Sequence, residues 1–179
     1  MTRSLLRLLV LALVLGFAPQ LRAGAAERDP DSHFFNAFLG DLRDELAQAR
    51  STGRKGVLVM YHFEECPSCQ RMRRQVLNQP QVQDWFRREF VIVPIDIRGA
   101  QPITGVDGKT LPESAYGHAM KIRGTPTFDF YAPDGTRIYR HVGGLFEPRE
   151  FLLLGEFIVS GAYRDRSFKD YRHDAGKGS

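Results

Sequence analysis

Cys66 and Cys69 are the only two cysteines in 179 residues, and they stand where an apolar run gives way to a helix-like one. Val57 to Phe63 (VLVMYHF) is dense in β-branched and aromatic residues and too short for a stable helix, so it reads as a buried strand. Glu64 and Glu65 end it. Cys66 follows where a helix begins, Pro67 takes the first-turn position that tolerates a missing N–H, and Gln70 to Val76 continue as helix. The spacing sets the two thiols one helical turn apart on one side, a geometry suited to reversible disulfide chemistry. Cys66 lies over the unpaired N–H groups and positive end of the helix, which favours its thiolate, and Cys69, deeper and less exposed, is the resolving thiol.

The small cysteine count narrows the alternatives. A structural zinc site takes four N or S ligands, and a lone CxxC with no second pair and no well-spaced HxxxH is a poor match, so no metal is assigned. A c-type haem needs His directly after the second cysteine, where this chain has Gln70. A purely structural bridge closing so small a loop constrains the unfolded chain little. One rival of another class stays open: a copper-handling module in which Cys66 and Cys69 bind Cu(I) with help from His62 or Met72. On the redox reading no cofactor is needed beyond the Cys66–Cys69 pair.

The sequence pI near 9.3 invites a nucleic-acid reading. The N-terminus accounts for it instead. Arg3 and Arg7 precede an apolar run, Leu8 to Ala18, short for a bilayer span and followed by Pro19 and small residues, with Ala23-Gly24-Ala25 as an A-x-A cleavage pattern. Residues 1–25 read as a cleavable signal peptide. Its loss removes Arg3, Arg7 and Arg22 and no acid, bringing the 25 basic and 21 acidic residues nearly into balance, so nothing points to nucleic acid. The expected location is periplasmic, where disulfides form and persist and a reductant needs its own electron supply.

Along the rest of the chain, residues 26–33 are a polar lead-in. Phe34, Phe35, Phe38, Leu42, Leu46 and Ala49 recur at three- and four-residue steps and predict one amphipathic helix. After the cysteine helix, Asn78-Gln79-Pro80 starts another, with Val82, Trp85, Phe86 and Phe90 on one face, and Val91 to Ile97 is a second buried strand. Residues 98–114, rich in Gly and Pro, form a long loop. A short helix from Ala115 to Ile122, a strand from Phe128 to Tyr131, a turn at Pro133-Asp134-Gly135 and a returning strand from Arg137 to Val142 come next. A last helix runs from Pro148 to about Ser160. The domain thus spans 34–160, and 161–179 is an extension whose end, from His173, is expected to be disordered. The fold class is α/β, a mixed sheet of about four strands with helices on both faces.

That element order, with CPSC opening the helix after a strand and Thr125-Pro126 ahead of a hairpin, resembles the thioredoxin superfamily. The resemblance implies a cis Pro126 packed beside the redox pair, a Thr125 backbone that receives the bound peptide, and a Gly143 that lets a substrate backbone approach. The runs EECPSCQRM, VIVPIDIRG, ITGVDGKTLPE, RGTPTFDFYAPDG and GAYRDRSFKDY look more narrowly like the exported thioredoxins associated with the bacterial sulfur-oxidation (Sox) system. This implies a protein that reduces protein disulfides and draws electrons from a membrane thiol donor of the CcdA/DsbD type; a monomer is expected. Direction depends on the Pro67-Ser68 dipeptide, and a disulfide-installing oxidant would use the same residues in reverse. In one respect the chain departs from the family: the buried Asp that many members carry six residues before the first cysteine, as proton acceptor for the resolving thiol, is Met60 here. Glu64, Glu65 and His62 are the candidates for that task.

Overall fold

The computed structural model describes residues 26–177, so the expected leader lies outside them. In chain order the elements are α1 (Pro30–His33), α2 (Leu42–Ser51), β1 (Gly56–His62), α3 (Pro67–Met72) running on into a π-helical turn (Arg73–Leu77), α4 (Pro80–Glu89) and β2 (Phe90–Asp96). Then come β3 (Pro102–Thr104), β4 (Thr110–Pro112), α5 (Glu113–Ala119), β5 (Thr127–Tyr131), β6 (Arg137–Val142), α6 (Pro148–Val159), a 3₁₀ turn (Ala162–Arg164) and α7 (Phe168–Lys177). The main sheet has the order β2-β1-β5-β6, with β1 parallel to β2 and antiparallel to β5, and β5 antiparallel to β6. The mixed four-stranded sheet with helices on both faces is the architecture expected from the sequence.

Strand alternation divides the interior into two layers. Leu58, Met60, Ile92, Phe128 and Phe130 point to the side that holds Cys66, Cys69, Met72, Phe86 and Phe151. Phe86 and Phe151 stack with ring centroids 4.3 Å apart, tying α4 to α6. Val57, Val59, Tyr61, Val93 and Tyr131 point the other way, onto Leu42, Leu46 and Ala49 of α2 and Tyr116 of α5. Each buried aromatic or aliphatic side chain of this kind contributes about 1.5–3 kcal/mol. Cys66 and Cys69 are therefore set against a packed and largely aromatic layer.

The single helix expected over residues 34–49 is instead two segments. Phe34 and Phe35 pack in the cysteine-side layer, whereas Leu42, Leu46 and Ala49 pack in the opposite one. The chain between must cross the sheet edge, and it does so along β2: Asn36 donates its N–H to the Ile92 carbonyl at 2.8 Å and accepts the Ile92 N–H on its side-chain oxygen at 2.9 Å. Gly40, at φ +94°, turns the chain where an added Cβ would lie 2.6 Å from the Pro102 carbonyl oxygen, and Asp41 caps α2.

Two other expectations are revised. Within the long loop 98–114, Ile103 and Leu111 pair across a small two-stranded sheet, and Ile103 is buried. Three-residue strands in so polar a context leave no alternation to read. Residues 173–177, expected to be disordered, continue α7. Tyr171 packs on Phe157 at 5.3 Å, Arg172 pairs with Glu150 at 2.9 Å and Arg166 with Asp174 at 3.0 Å, and these contacts hold the helix down.

Candidate active site

Cys66 is the N-cap of α3 and is joined by a disulfide to Cys69. Its sulfur is the focus of polar contacts: the Cys69 N–H donates to Cys66 Sγ at 3.1 Å and the Thr125 hydroxyl at 3.2 Å, with the Thr125 carbonyl oxygen 3.6 Å away. Two donors aimed at one sulfur stabilise the charge it carries once reduced, which is the surrounding a nucleophilic thiolate needs. No comparable donor to Cys69 Sγ is seen among the described residues. The expected difference in exposure is absent: Cys66 is 2% exposed and Cys69 1%. Thr125, its hydroxyl and carbonyl both against Cys66 Sγ, shields the cysteine that helix geometry alone would leave open.

The Thr125-Pro126 peptide is cis and Pro126 is buried. Its carbonyl accepts the Gly143 N–H at 2.9 Å, and the Thr127 hydroxyl donates to the Gly124 carbonyl at 2.7 Å, so the loop bearing Thr125 is fixed from both ends. Gly143 has φ +105° with open space where a Cβ would stand, which leaves room for an approaching backbone. Pro67 is exposed at the first turn of α3 and Ser68 is half-buried.

Met60 is fully buried in the layer that contains both cysteines. The three polar candidates around it separate. Glu65 is exposed and pairs with Arg98 at 3.2 Å, while Arg98 stacks on Phe63 at 3.7 Å. Glu64 is exposed, and its carbonyl accepts from the Gln70 side chain. His62, two residues after Met60 and half-buried, lines a cavity of about 420 Å³ with Cys69, Glu64, Arg73, Asp31 and Asp96. Burial, reinforced by the Arg73 charge, holds the His62 imidazole below its usual pKa, against an upward pull from Asp96 and Asp31. The pairing of Arg73 with Asp31 at 2.7 Å has no signal in the sequence, although the four-residue step from Cys69 to Arg73 sets those two residues on one side of a helix. Among the described residues no group of three or more His, Cys, Asp or Glu side chains is placed to hold a metal ion.

Residues 42–158 match the family model described as a thioredoxin-like domain. Solved structures of similar shape include a thioredoxin-fold protein from Helicobacter pylori, 20% identical, with a TM-score of 0.58 over 69% of this chain and 85% of that one. Another is a putative disulphide-isomerase from Bacteroides thetaiotaomicron, 21% identical, with a TM-score of 0.52 over 72% of this chain and 93% of that one. At such identities these structures speak for the fold alone. A search of curated proteins finds no match.

Proposed function

Since the chain belongs to the thioredoxin-like family and carries a Cys66–Cys69 disulfide, it is a thiol:disulfide oxidoreductase, and we propose that it works as an exported reductant of protein disulfides. Cys66 thiolate attacks a substrate disulfide, one substrate thiol leaves, and a mixed disulfide remains on Cys66 while the substrate backbone lies against Thr125 and Gly143. Cys69 then attacks Cys66 Sγ, releasing the second substrate thiol and restoring the Cys66–Cys69 bond. A membrane dithiol donor, of the type implied by the resemblance to exported sulfur-oxidation thioredoxins, returns the pair to its reduced form, and those sulfur-oxidation components are the natural substrates of this reading.

The observation that carries the direction is burial. Both sulfurs are within 2% of complete burial, and exposed or strained disulfides are the oxidising ones, so a pair sunk into an apolar layer favours a low potential. The Thr125 hydroxyl on Cys66 Sγ pulls the other way by favouring thiolate, and it is what supports the disulfide-installing alternative. The test is reduction of a disulfide-bonded protein by residues 26–179 with a small dithiol as donor. Wild type should turn over, Cys66→Ser should lose activity entirely, and Cys69→Ser should stall as a mixed disulfide on Cys66. Unchanged turnover by Cys66→Ser would end the proposal.

A further inference from the structure

The resolving step has a requirement that the cysteine-side layer does not meet. Cys69 must lose a proton to attack Cys66 Sγ, yet the buried side chains packed with Met60 and the cysteines are apolar, and His141, the imidazole of β6 on that face, packs against Phe128 and Phe168. Among the described residues the buried carboxylates are Glu45 and Asp129, and both belong to the opposite layer, Glu45 on α2 and Asp129 beside Tyr131 on β5. Cys69 borders a cavity that it shares with His62, Glu64, Asp31, Arg73 and Asp96. Alternation on β1 brings His62 to the same face as Leu58 and Met60, whose side chains pack with the cysteines.

We propose that His62 accepts the Cys69 proton, through solvent in their common cavity, when Cys69 attacks the mixed disulfide at Cys66. This deepens the oxidoreductase reading and rests on it. The acids of α1 and β2 that face His62 are engaged. Asp31 of α1 is bound to Arg73, from the turn after α3, at 2.7 Å. Asp96, opposite His62 in the β1–β2 register, accepts the Arg98 N–H at 2.8 Å. Glu64 lines the cavity rim and is exposed. Among the described residues the His62 ring makes no side-chain hydrogen bond, and burial, with the Arg73 charge, holds its pKa below the usual histidine value, so that it is neutral near pH 7, the state in which it can take a proton. In the balanced step the Cys69 thiol gives its proton to His62, and the resulting thiolate forms the Cys69–Cys66 bond. The bond from Cys66 to the substrate sulfur breaks, the electron pair leaves on that sulfur, and a solvent proton neutralises it.

Reduced protein mixed with dithiobis-nitrobenzoate reads the two attacks separately. The first nitrothiobenzoate released reports Cys66 and the second reports Cys69. In His62→Gln the first phase should stay within about twofold of wild type, while the second should slow at least about tenfold near neutral pH and lose the acid limb of its pH profile. Added imidazole should restore the second phase of His62→Ala. Equal slowing of both phases, a second phase with the wild-type pH profile, or a second phase that responds to Glu64→Gln in place of His62→Gln would overturn the proposal. Absence of any release from wild type would instead sink the oxidoreductase reading itself.

Discussion

The two faces of the sheet handle charge in opposite ways. On the α2 side, Asp129 is wholly buried and held by a fork from Arg140, with Nε at 2.6 Å from Oδ1, while Arg140 also reaches the Met120 carbonyl at 2.9 Å. That ion pair fastens β5 and β6 to the end of α5, from which the Thr125 loop departs. On the cysteine side, Met60 fills the corresponding depth and the disulfide sees apolar neighbours, with its polar contacts arriving from Thr125 above and the His62 cavity beside it. The contrast teaches that buried charge serves architecture in this chain, whereas redox chemistry is run against an apolar floor with polar help at the rim.

The sharpest way to break this contrast is Asp129→Ala. It strands the Arg140 guanidinium, which is only 22% exposed, and should cost about 3–5 kcal/mol of stability in denaturant unfolding. Where the variant still folds, its disulfide potential should match wild type. A potential that moves with stability would mean that the two faces are not independent. Thr125→Val sharpens the other side. Removing one of two donors to Cys66 Sγ should raise the pKa of the reduced Cys66 thiol and slow its alkylation near neutral pH several-fold, as read by the pH dependence of that rate, with little change in folding stability.

The smallest effect is expected from pH. His141 on β6 lies edge-on to Phe168 of α7 at 5.8 Å, and burial, then the Arg172 charge, hold its pKa below the usual histidine value. Unfolded His141 takes up a proton near its ordinary pKa while the folded residue resists, so stability should fall as pH drops below about 6.5, and His62 adds an effect of the same sign. Urea midpoints at about pH 7.5 and about pH 5.5 should differ less in His141→Phe than in wild type. An equal difference in both would place the acid sensitivity elsewhere.

Much of this arrangement was legible from residue order. The strand before Cys66, the proline-started helix after it, the hairpin around Pro133-Asp134-Gly135 and the helix that Pro148 opens are local signals, and the structure keeps them. What was not legible depends on partners far along the chain. Phe34 to Ala49 keep helical spacing, yet they serve two cores on opposite faces of the sheet, and periodicity cannot tell one core from two. The cysteines and the Thr125-Pro126 pair were visible as motifs. The Thr125 hydroxyl on Cys66 Sγ was not, because it depends on a rotamer set by tertiary packing. The cavity joining Cys69 and His62 to Asp31, Arg73 and Asp96 draws on four separate segments, and no spacing rule brings those together.

The equilibrium reduction potential of the Cys66–Cys69 pair in residues 26–179, measured against glutathione, tests the central claim most directly. An apolar floor that buries both sulfurs predicts a value near thioredoxin's, about −270 mV. A value near about −120 mV would show that the donors on Cys66 Sγ outweigh burial, and the protein would then install disulfides in its partners.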